Sequence, residues 1–336
     1  MKPMKIATKV ALIVGGAFCT AGIVLCGIMF ATLGFDFSKL DTSPPYVEKT
    51  AEAPASIQNL TIATDNQEIL VEPSTDGLVH VRYYENEDHR FTVNQTETSL
   101  SIEREDLRPW YRHISFNFFN NIGAYPIVIA LPETYTGGLD FKTSNGKIML
   151  ADLQSKAAIN LVTSNAPVSL HNIICSAMVV KTSNDTVSLA DVQSTGTLDI
   201  TTSNDAVTLT NVQTASTLSA TTSNDRMTAD KIQCNTLHLK SSNGKMELGA
   251  IEASGKMEVT TSNAAISFTQ LLSPDIRLVS SNGDVSGRIK GDLYSYRIES
   301  HTSNGNNSLN QNDDPSRPNR LYVRTSNASI KVDIQP

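Results

Sequence analysis

The sequence repeats one short motif at a nearly constant interval, and this repeat limits the folds that the chain can adopt. Thr-Ser-Asn or Ser-Ser-Asn recurs from residue 143 onward. The motif asparagines are Asn145, Asn165, Asn184, Asn204, Asn224, Asn243, Asn263, Asn282, Asn304 and Asn327. An interval of about 20 residues is typical of solenoids, in which each unit buries its apolar face only against its neighbours.

Apolar and polar residues alternate on both sides of the motif. After Asn204, apolar Val207 and Leu209 flank polar Thr208, and the segment "LDITTSN" alternates in the same way before the corner. A period of two indicates a β-strand. Each unit therefore predicts two short strands, one corner at the asparagine and a second corner at a small residue. The predicted fold class is all-β, a parallel β-solenoid with coils of about 20 residues, preceded by one transmembrane helix.

Asparagine suits the predicted corner for two reasons. It tolerates the left-handed backbone conformation that we expect at a sharp turn. Asparagines in successive coils also lie about 4.8 Å apart, so their side-chain amides can hydrogen-bond along the stack as a ladder. The motif asparagines are therefore predicted to be structural residues.

The pattern has a fainter copy closer to the N-terminus of the chain. The segment "LTIATDNQEILV" aligns with the repeat and places Asn66 in the corner, close to four periods before Asn145. The stretch between them is strand-like but irregular. We therefore predict an irregular β capping region over 56–138 and solenoid repeats over 139–336, with a polar insertion before the last coil.

An uncharged run over 10–33 lies close to the N-terminus. As a helix, this run is long enough to cover a hydrocarbon core of about 30 Å. Lysines precede the run and Asp36 follows it, which predicts a cytoplasmic segment over 1–9, a membrane helix over 10–35, a linker over 36–55 and an extracellular solenoid. The alternative is a cleaved signal peptide. We favour the uncleaved anchor, because the run exceeds the usual length of roughly 7–15 residues and no A-x-A site follows.

Charge and cysteine content exclude some functions. The formal net charge is −7 and no basic patch occurs, so we expect no nucleic-acid partner. Cys175 and Cys234 both lie ten residues after a motif asparagine, in a slot that is otherwise filled by small residues. This slot predicts two unpaired cysteines at tight corners rather than a metal pair.

Carboxylates are the residues from which a metal site or a catalytic site could be built. Asp185, Asp205 and Asp225 follow successive motif asparagines, and a row of carboxylates could hold Ca²⁺. We favour the simpler interpretation that aspartate suits a turn there, and we predict no metal site and no cofactor. Solenoid glycosidases and lyases build their clefts on long loops, whereas these coils hardly vary in length. We therefore predict that the chain is not an enzyme.

An aromatic segment, 109–126, interrupts the pattern. Its aromatic residues are Trp110, Tyr111, Phe116, Phe118, Phe119 and Tyr125. Two interpretations remain open: a lid over the apolar cross-section of the first coil, or a contact patch for a membrane or partner. We favour the lid, because the ends of solenoids must be capped to stay soluble.

These features together resemble a known family. The basic start, the apolar span, "LGFDFSKL" after it and the S-N-G, S-N-D or S-N-A corners are similar to the bacterial putative-adhesin, or toastrack, family of membrane-anchored β-solenoid surface proteins. The resemblance implies an extracytoplasmic domain held at the membrane, with relatives linked to adhesion or to envelope-stress sensing. It supplies no catalytic residues.

The sequence therefore predicts a non-enzymatic scaffold, anchored in the cell membrane, for adhesion or surface interaction with a protein or glycan. The alternative is an envelope-stress component that acts with a membrane partner. A carbohydrate-active enzyme is the least favoured class.

Overall fold

The structure is a computed structural model, and it describes residues 6–32, 34, 45–107 and 125–336. The chain divides into two units. The first contains helix α1, Ile6–Thr32. Residues Leu12–Thr32 of this helix have a mean hydropathy of 2.2, and this segment is long and apolar enough to cross a membrane. A signal sequence near the N-terminus has the same properties. Trp110, Tyr111, Phe116, Phe118 and Phe119 lie outside the described residues.

The second unit is built from strands. They are β1 Val47–Pro54, β2 Asn59–Ala63, β3 Ile69–Pro73, β4 Leu78–Glu85, β5 His89–Gln95, β6 Ser99–Asp106, β7 Ile127–Leu131, β8 Gly138–Lys142, β9 Ile148–Gln154, β10 Ala158–Val162, β11 Val168–Cys175, β12 Ala177–Lys181, β13 Val187–Ser194, β14 Leu198–Thr201, β15 Val207–Thr214, β16 Thr217–Thr221, β17 Met227–Cys234, β18 Thr236–Lys240, β19 Met246–Ala253, β20 Lys256–Thr260, β21 Ile266–Leu272, β22 Asp275–Val279, β23 Val285–Lys290, β24 Tyr296–His301, β25 Asn319–Arg324 and β26 Ile330–Gln335. β1 lies within residues 36–55, the range predicted from the sequence to be a linker.

The strands form two sheets of 13 strands each. One sheet runs β1-β4-β7-β3-β9-β11-β13-β15-β17-β19-β21-β23-β26, and the other runs β24-β25-β22-β20-β18-β16-β14-β12-β10-β8-β2-β6-β5. From β8 to β23 each coil gives one strand to each sheet, and neighbouring coils pair in parallel. The predicted parallel β-solenoid is confirmed.

The core follows the alternation of the sequence. In one coil Val187, Leu189 and Val192 of β13 and Leu198 and Ile200 of β14 are all fully buried. The same slots are filled by apolar residues in the coils above and below. Because side chains of a strand point alternately to opposite faces, the residues between them face outward. The repeat therefore buries one continuous apolar core along the stack.

The position of the left-handed corner differs from our prediction. None of the motif asparagines, all of which are described, has a positive φ. Within the described part of the chain, the non-glycine residues with positive φ are Asp152, Asn172, Asp191, Asn211 and Lys231, with φ between 53° and 56°. Each lies seven residues after a motif asparagine, where the longer strand of the coil bends. The motif corner needs no such conformation, because main-chain hydrogen bonds hold it: the N–H groups of Ser203 and Asn204 both donate to the Ser183 carbonyl of the previous coil.

The first coil also stacks differently from the expected spacing. β2 pairs with β8 in parallel, so the Asn66 corner lies directly on the Asn145 corner rather than four coils away. Among the described residues between them, β6 pairs in parallel with β2 and β7 pairs in parallel with β3. β4 pairs antiparallel with β1 and β7, and β5 pairs antiparallel with β6, extending the two sheets beyond the first coil.

The last two coils are stacked in the reverse of their sequence order. β25 pairs with β22 on one side and with β24 on the other, while β26 pairs with β23. The coil that ends the chain is therefore inserted between the Asn282 coil and the Asn304 coil. The polar insertion precedes this coil in the sequence, but the coil itself stacks between the two coils that come before it in the chain.

The predicted polar insertion closes this end of the rod. Ile298 and Asn312 exchange two main-chain hydrogen bonds of 2.7 and 3.0 Å, and the Ser308 N–H donates to the Ile330 carbonyl at 3.0 Å. Leu309 is buried against the core. The insertion therefore covers the outer edges of β24 and β26.

Candidate functional site

The side-chain amides of the motif asparagines form one continuous column. Each Nδ2 donates to the Oδ1 of the neighbouring coil's asparagine, over distances of 2.6 to 2.9 Å. The column runs Asn66, Asn145, Asn165, Asn184, Asn204, Asn224, Asn243, Asn263, Asn282, Asn327 and Asn304. It joins all ten asparagines named from the sequence with Asn66, and all ten hydrogen bonds point in the same direction.

The first hydroxyl of the motif is also used inside the rod. Thr202 is buried and its Oγ1 donates to the Asp185 carbonyl at 3.0 Å, and Thr222 does the same to Asp205 at 2.9 Å. Five more coils repeat this contact between 3.0 and 3.3 Å. The polar groups of the motif therefore bind neighbouring coils.

The row of aspartates lies on the outer side of the same corner. Oδ1 of Asp185, Asp205 and Asp225 accepts a hydrogen bond from the next residue's N–H at 2.6 to 2.7 Å. Among the described residues, no group of three metal-ligating side chains could hold a metal ion. Each carboxylate thus acts within its own turn.

A second polar column, which sequence reasoning missed, marks the left-handed corner. Asn172 Nδ2 donates to Asp152 Oδ1 at 2.6 Å, and Asn211 Nδ2 donates to Asp191 Oδ1 at 2.5 Å. The signal was present in the sequence, because aspartate or asparagine fills this slot in four successive coils. These are the residue types that tolerate positive φ.

Beside this column, a shallow groove of about 420 Å³ follows the long axis of the rod. Gln193, Gln213 and Gln233 occupy the same slot in three successive coils and line it. Their side chains are exposed. The groove is open, and its glutamines recur from coil to coil, whereas Ser194, Thr214 and Cys234 beside them differ.

Charged residues on the opposite sheet are paired with one another. Glu258 accepts a hydrogen bond from Lys256 at 2.9 Å and lies 3.3 Å from Arg277. The hydrogen bond from Lys256 is the main cause that lowers the pKa of Glu258. The Arg277 guanidinium also lies 4.4 Å from the ring centre of Tyr322. The charges of this cluster therefore pair with one another.

The two cysteines of the rod are buried and unpaired. Burial raises the pKa of the Cys175 thiol to about 11 and that of Cys234 to about 12. A nucleophilic or metal-binding cysteine needs the thiolate, which these environments disfavour. Both residues act as small core side chains at the second corner.

Of the predicted aromatic segment, the structure describes Tyr125. Its ring centre lies 4.5 Å from that of Tyr46 and 5.2 Å from that of Tyr84. Tyr46 also stacks on His89, with a hydroxyl–Nδ1 distance of 3.1 Å. The choice between a lid and a contact patch for the remaining aromatic residues stays a prediction.

The stacked coils and the asparagine column define the chain as a repeat protein of the β-solenoid class. Residues 57–336 match the model of the Toastrack DUF4097 family. The chain belongs to this family, as its corner motif predicted.

Two solved structures are similar over most of the chain. One is a putative adhesin from Bacteroides fragilis NCTC 9343, with 13% identity, 86% of this chain and 99% of that chain covered, and a TM-score of 0.33. The other is a putative cell adhesion protein from Clostridium sporogenes ATCC 15579, with 10% identity, coverages of 87% and 100%, and a TM-score of 0.18. No curated protein matches the chain.

Proposed function

We propose that this chain is a single-pass membrane protein that displays its solenoid outside the cell as a non-enzymatic scaffold for surface interaction. The proposal includes a cytoplasmic N-terminus, helix α1 as the anchor and the domain boundaries predicted from the sequence. The apolar length of α1 and the lysines before it support the anchor.

One observation carries the scaffold assignment. The most regular polar residues of the chain, the asparagines and hydroxyls of the motif, bond to neighbouring coils. A motif that is repeated for stacking explains the repetition without a reaction. The exposed outer faces are then the surfaces that remain for contact with partners.

Adhesion is the first candidate role. The two similar structures carry adhesin or cell adhesion names. We expect cells that carry the full chain to be retained on an immobilised glycan or matrix surface. Cells that carry only residues 1–45 are the control, and equal retention of both would contradict adhesion.

An envelope-stress role with a membrane partner is the second candidate. The strongly acidic composition of residues 47–106 favours it, because that region contains the first strands after the anchor in the sequence. A carbohydrate-active enzyme is a third and weaker candidate. Release of reducing sugar from surface polysaccharides by the purified chain would support the enzyme over both scaffold roles.

Topology is tested with single cysteines in a chain whose native cysteines are replaced by serine. We expect Thr210→Cys, at an exposed position, to react with a membrane-impermeant maleimide on intact cells. Lys9→Cys should react only after permeabilisation. The reverse pattern, or a mature chain that begins after residue 33 by mass spectrometry, would contradict the anchored topology.

A further inference from the structure

Over the residues that the structure describes, the sheet edges are covered at one end of the rod and unpaired at the other. At the C-terminal end, the insertion covers the edges of β24 and β26 with main-chain hydrogen bonds. At the other end, β1 is the first strand of its sheet among the described strands, and it pairs there with β4. Across residues 45–107 and 125–336, nothing pairs with the outer edge of β1. An open edge presents unpaired N–H and C=O groups that another strand can join.

The side chains of β1 determine which kind of strand could pair with this edge. Ala53 is buried on the inner face, toward buried Val79 and Val81 of β4. Glu48 and Glu52 lie on the outer face, four residues apart, where Glu48 accepts a hydrogen bond from the Tyr84 hydroxyl at 2.7 Å. Most of β1 is exposed, including Val47 at 56%. The edge therefore carries two carboxylates on its outer face, whereas its inner face carries exposed Val47 and Lys49 followed by Ala51 and Ala53.

Charge is concentrated at this end of the rod. Residues 47–106 hold thirteen carboxylates and four lysine or arginine side chains, a net charge of −9. Residues 125–274 hold twelve carboxylates and nine such cations, and residues 275–336 hold seven and eight. The acidic excess is therefore a property of the end that carries β1.

This charge decides between the occupants of the edge. A second copy would bring its own Glu48, Glu52 and acidic surroundings against the first, and like charges in adjacent strands are destabilising. A basic strand would place its cations directly opposite these glutamates, at Cβ distances of about 4.5–5.5 Å.

We propose that β1 is a docking edge for an extended, basic segment of a partner protein, which adds to the sheet as a further strand. The preferred segment carries two lysine or arginine residues four positions apart on one face and small apolar residues on the other. Main-chain hydrogen bonds supply affinity, and the opposed glutamates select the sequence. This inference rests on the scaffold role proposed above and names the chemistry of its partner.

The test uses the full chain in detergent and a fluorescent octapeptide. The peptide has valine at its odd positions, lysine at its second and sixth positions, and threonine at its fourth and eighth. We expect saturable binding by fluorescence anisotropy, reduced at least tenfold by E48K/E52K. The matched control is E299K/D333K, which makes the same charge change at two exposed residues of the far end and should leave binding unchanged.

Two peptides with the same charges but with alternate main-chain nitrogens methylated separate strand addition from simple charge attraction. Taken together they block both edges of the peptide, so at least one should lose binding. Equal binding by all peptides, unchanged affinity in a folded E48K/E52K chain, or no binding at low salt would overturn the proposal. So would concentration-dependent self-association that E48K/E52K abolishes. Surface labelling of Thr210→Cys reports the proposed topology independently of all these results.

Discussion

At the scale of single residues, the motif asparagine joins neighbouring coils by two routes. Its main-chain N–H bonds to a carbonyl of the previous coil, and its side-chain amide joins the column. Neither contact requires a left-handed backbone. The role that we predicted for asparagine as a left-handed residue belongs to Asn172 and Asn211, seven positions further along the coil.

We predict that breaking the asparagine column lowers the stability of the solenoid. Asn204→Leu removes a hydrogen bond to Asn184 and another from Asn224, and should lower the free energy of unfolding by about 1–3 kcal/mol. The control is Asn310→Leu, at an exposed position in the insertion. Thermal and urea unfolding of the two variants checks this, and equal stabilities would show that the ladder contributes nothing.

The buried cysteines predict a difference in reactivity between folded and unfolded protein. Because burial holds the pKa values of Cys175 and Cys234 at about 11 and 12, both thiols stay protonated at pH 8. We expect iodoacetamide to modify them at pH 8 only after denaturation, by mass spectrometry of the digested chain. Rapid modification of the folded chain, or a Cys175–Cys234 disulfide, would contradict their assigned positions.

At the scale of the coil, the sequence predicts the direction of the side chains more readily than the position of the bend in the longer strand. Alternation of apolar and polar residues predicted which side chains face the core, because the period of a strand is fixed. Alternation does not reveal where the backbone changes conformation. The aspartate and asparagine residues at the bend did indicate a left-handed backbone. Lys231 occupies the same slot with φ 55°, and this lysine makes the pattern harder to recognise in the sequence.

Lys231 therefore predicts a stabilising substitution. A lysine in the left-handed region is strained by about 1–2 kcal/mol, whereas asparagine is better tolerated and is present at Asn211 in the coil before. We expect Lys231→Asn to raise the free energy of unfolding by about 1 kcal/mol. Lys240→Asn, at an exposed position in strand β18, is the control and should not stabilise. A loss of stability in Lys231→Asn would contradict the left-handed bend.

At the scale of the whole molecule, the sequence predicted the contents of each coil better than the order of the coils. Residues that share a slot are recognised by spacing, but spacing does not state which coil lies next to which. The long interval between Asn66 and Asn145, and the slightly lengthened intervals on both sides of Asn304, were signs of departure from the regular period. Their meaning depended on main-chain pairing between segments far apart in the sequence, as between β22 and β25, which no local pattern records.

The order of the coils is also the central claim of the fold, because the inserted coil connects the regular stack to its closed end. β23 and β26 are direct neighbours, with Ser286 opposite Lys331. Ser308 contacts Val332 on the other side of β26. It therefore lies about two strand spacings, or roughly 9–10 Å, from Ser286. A stack in sequence order would instead place Ser308 beside Ser286.

Disulfide trapping distinguishes these two orders in the chain whose native cysteines are replaced by serine. A disulfide needs Cα atoms within about 7 Å of each other. We predict that Ser286→Cys/Lys331→Cys forms an intramolecular disulfide on mild oxidation and that Ser286→Cys/Ser308→Cys stays reduced. A disulfide in the second variant, with none in the first, would contradict the inserted coil.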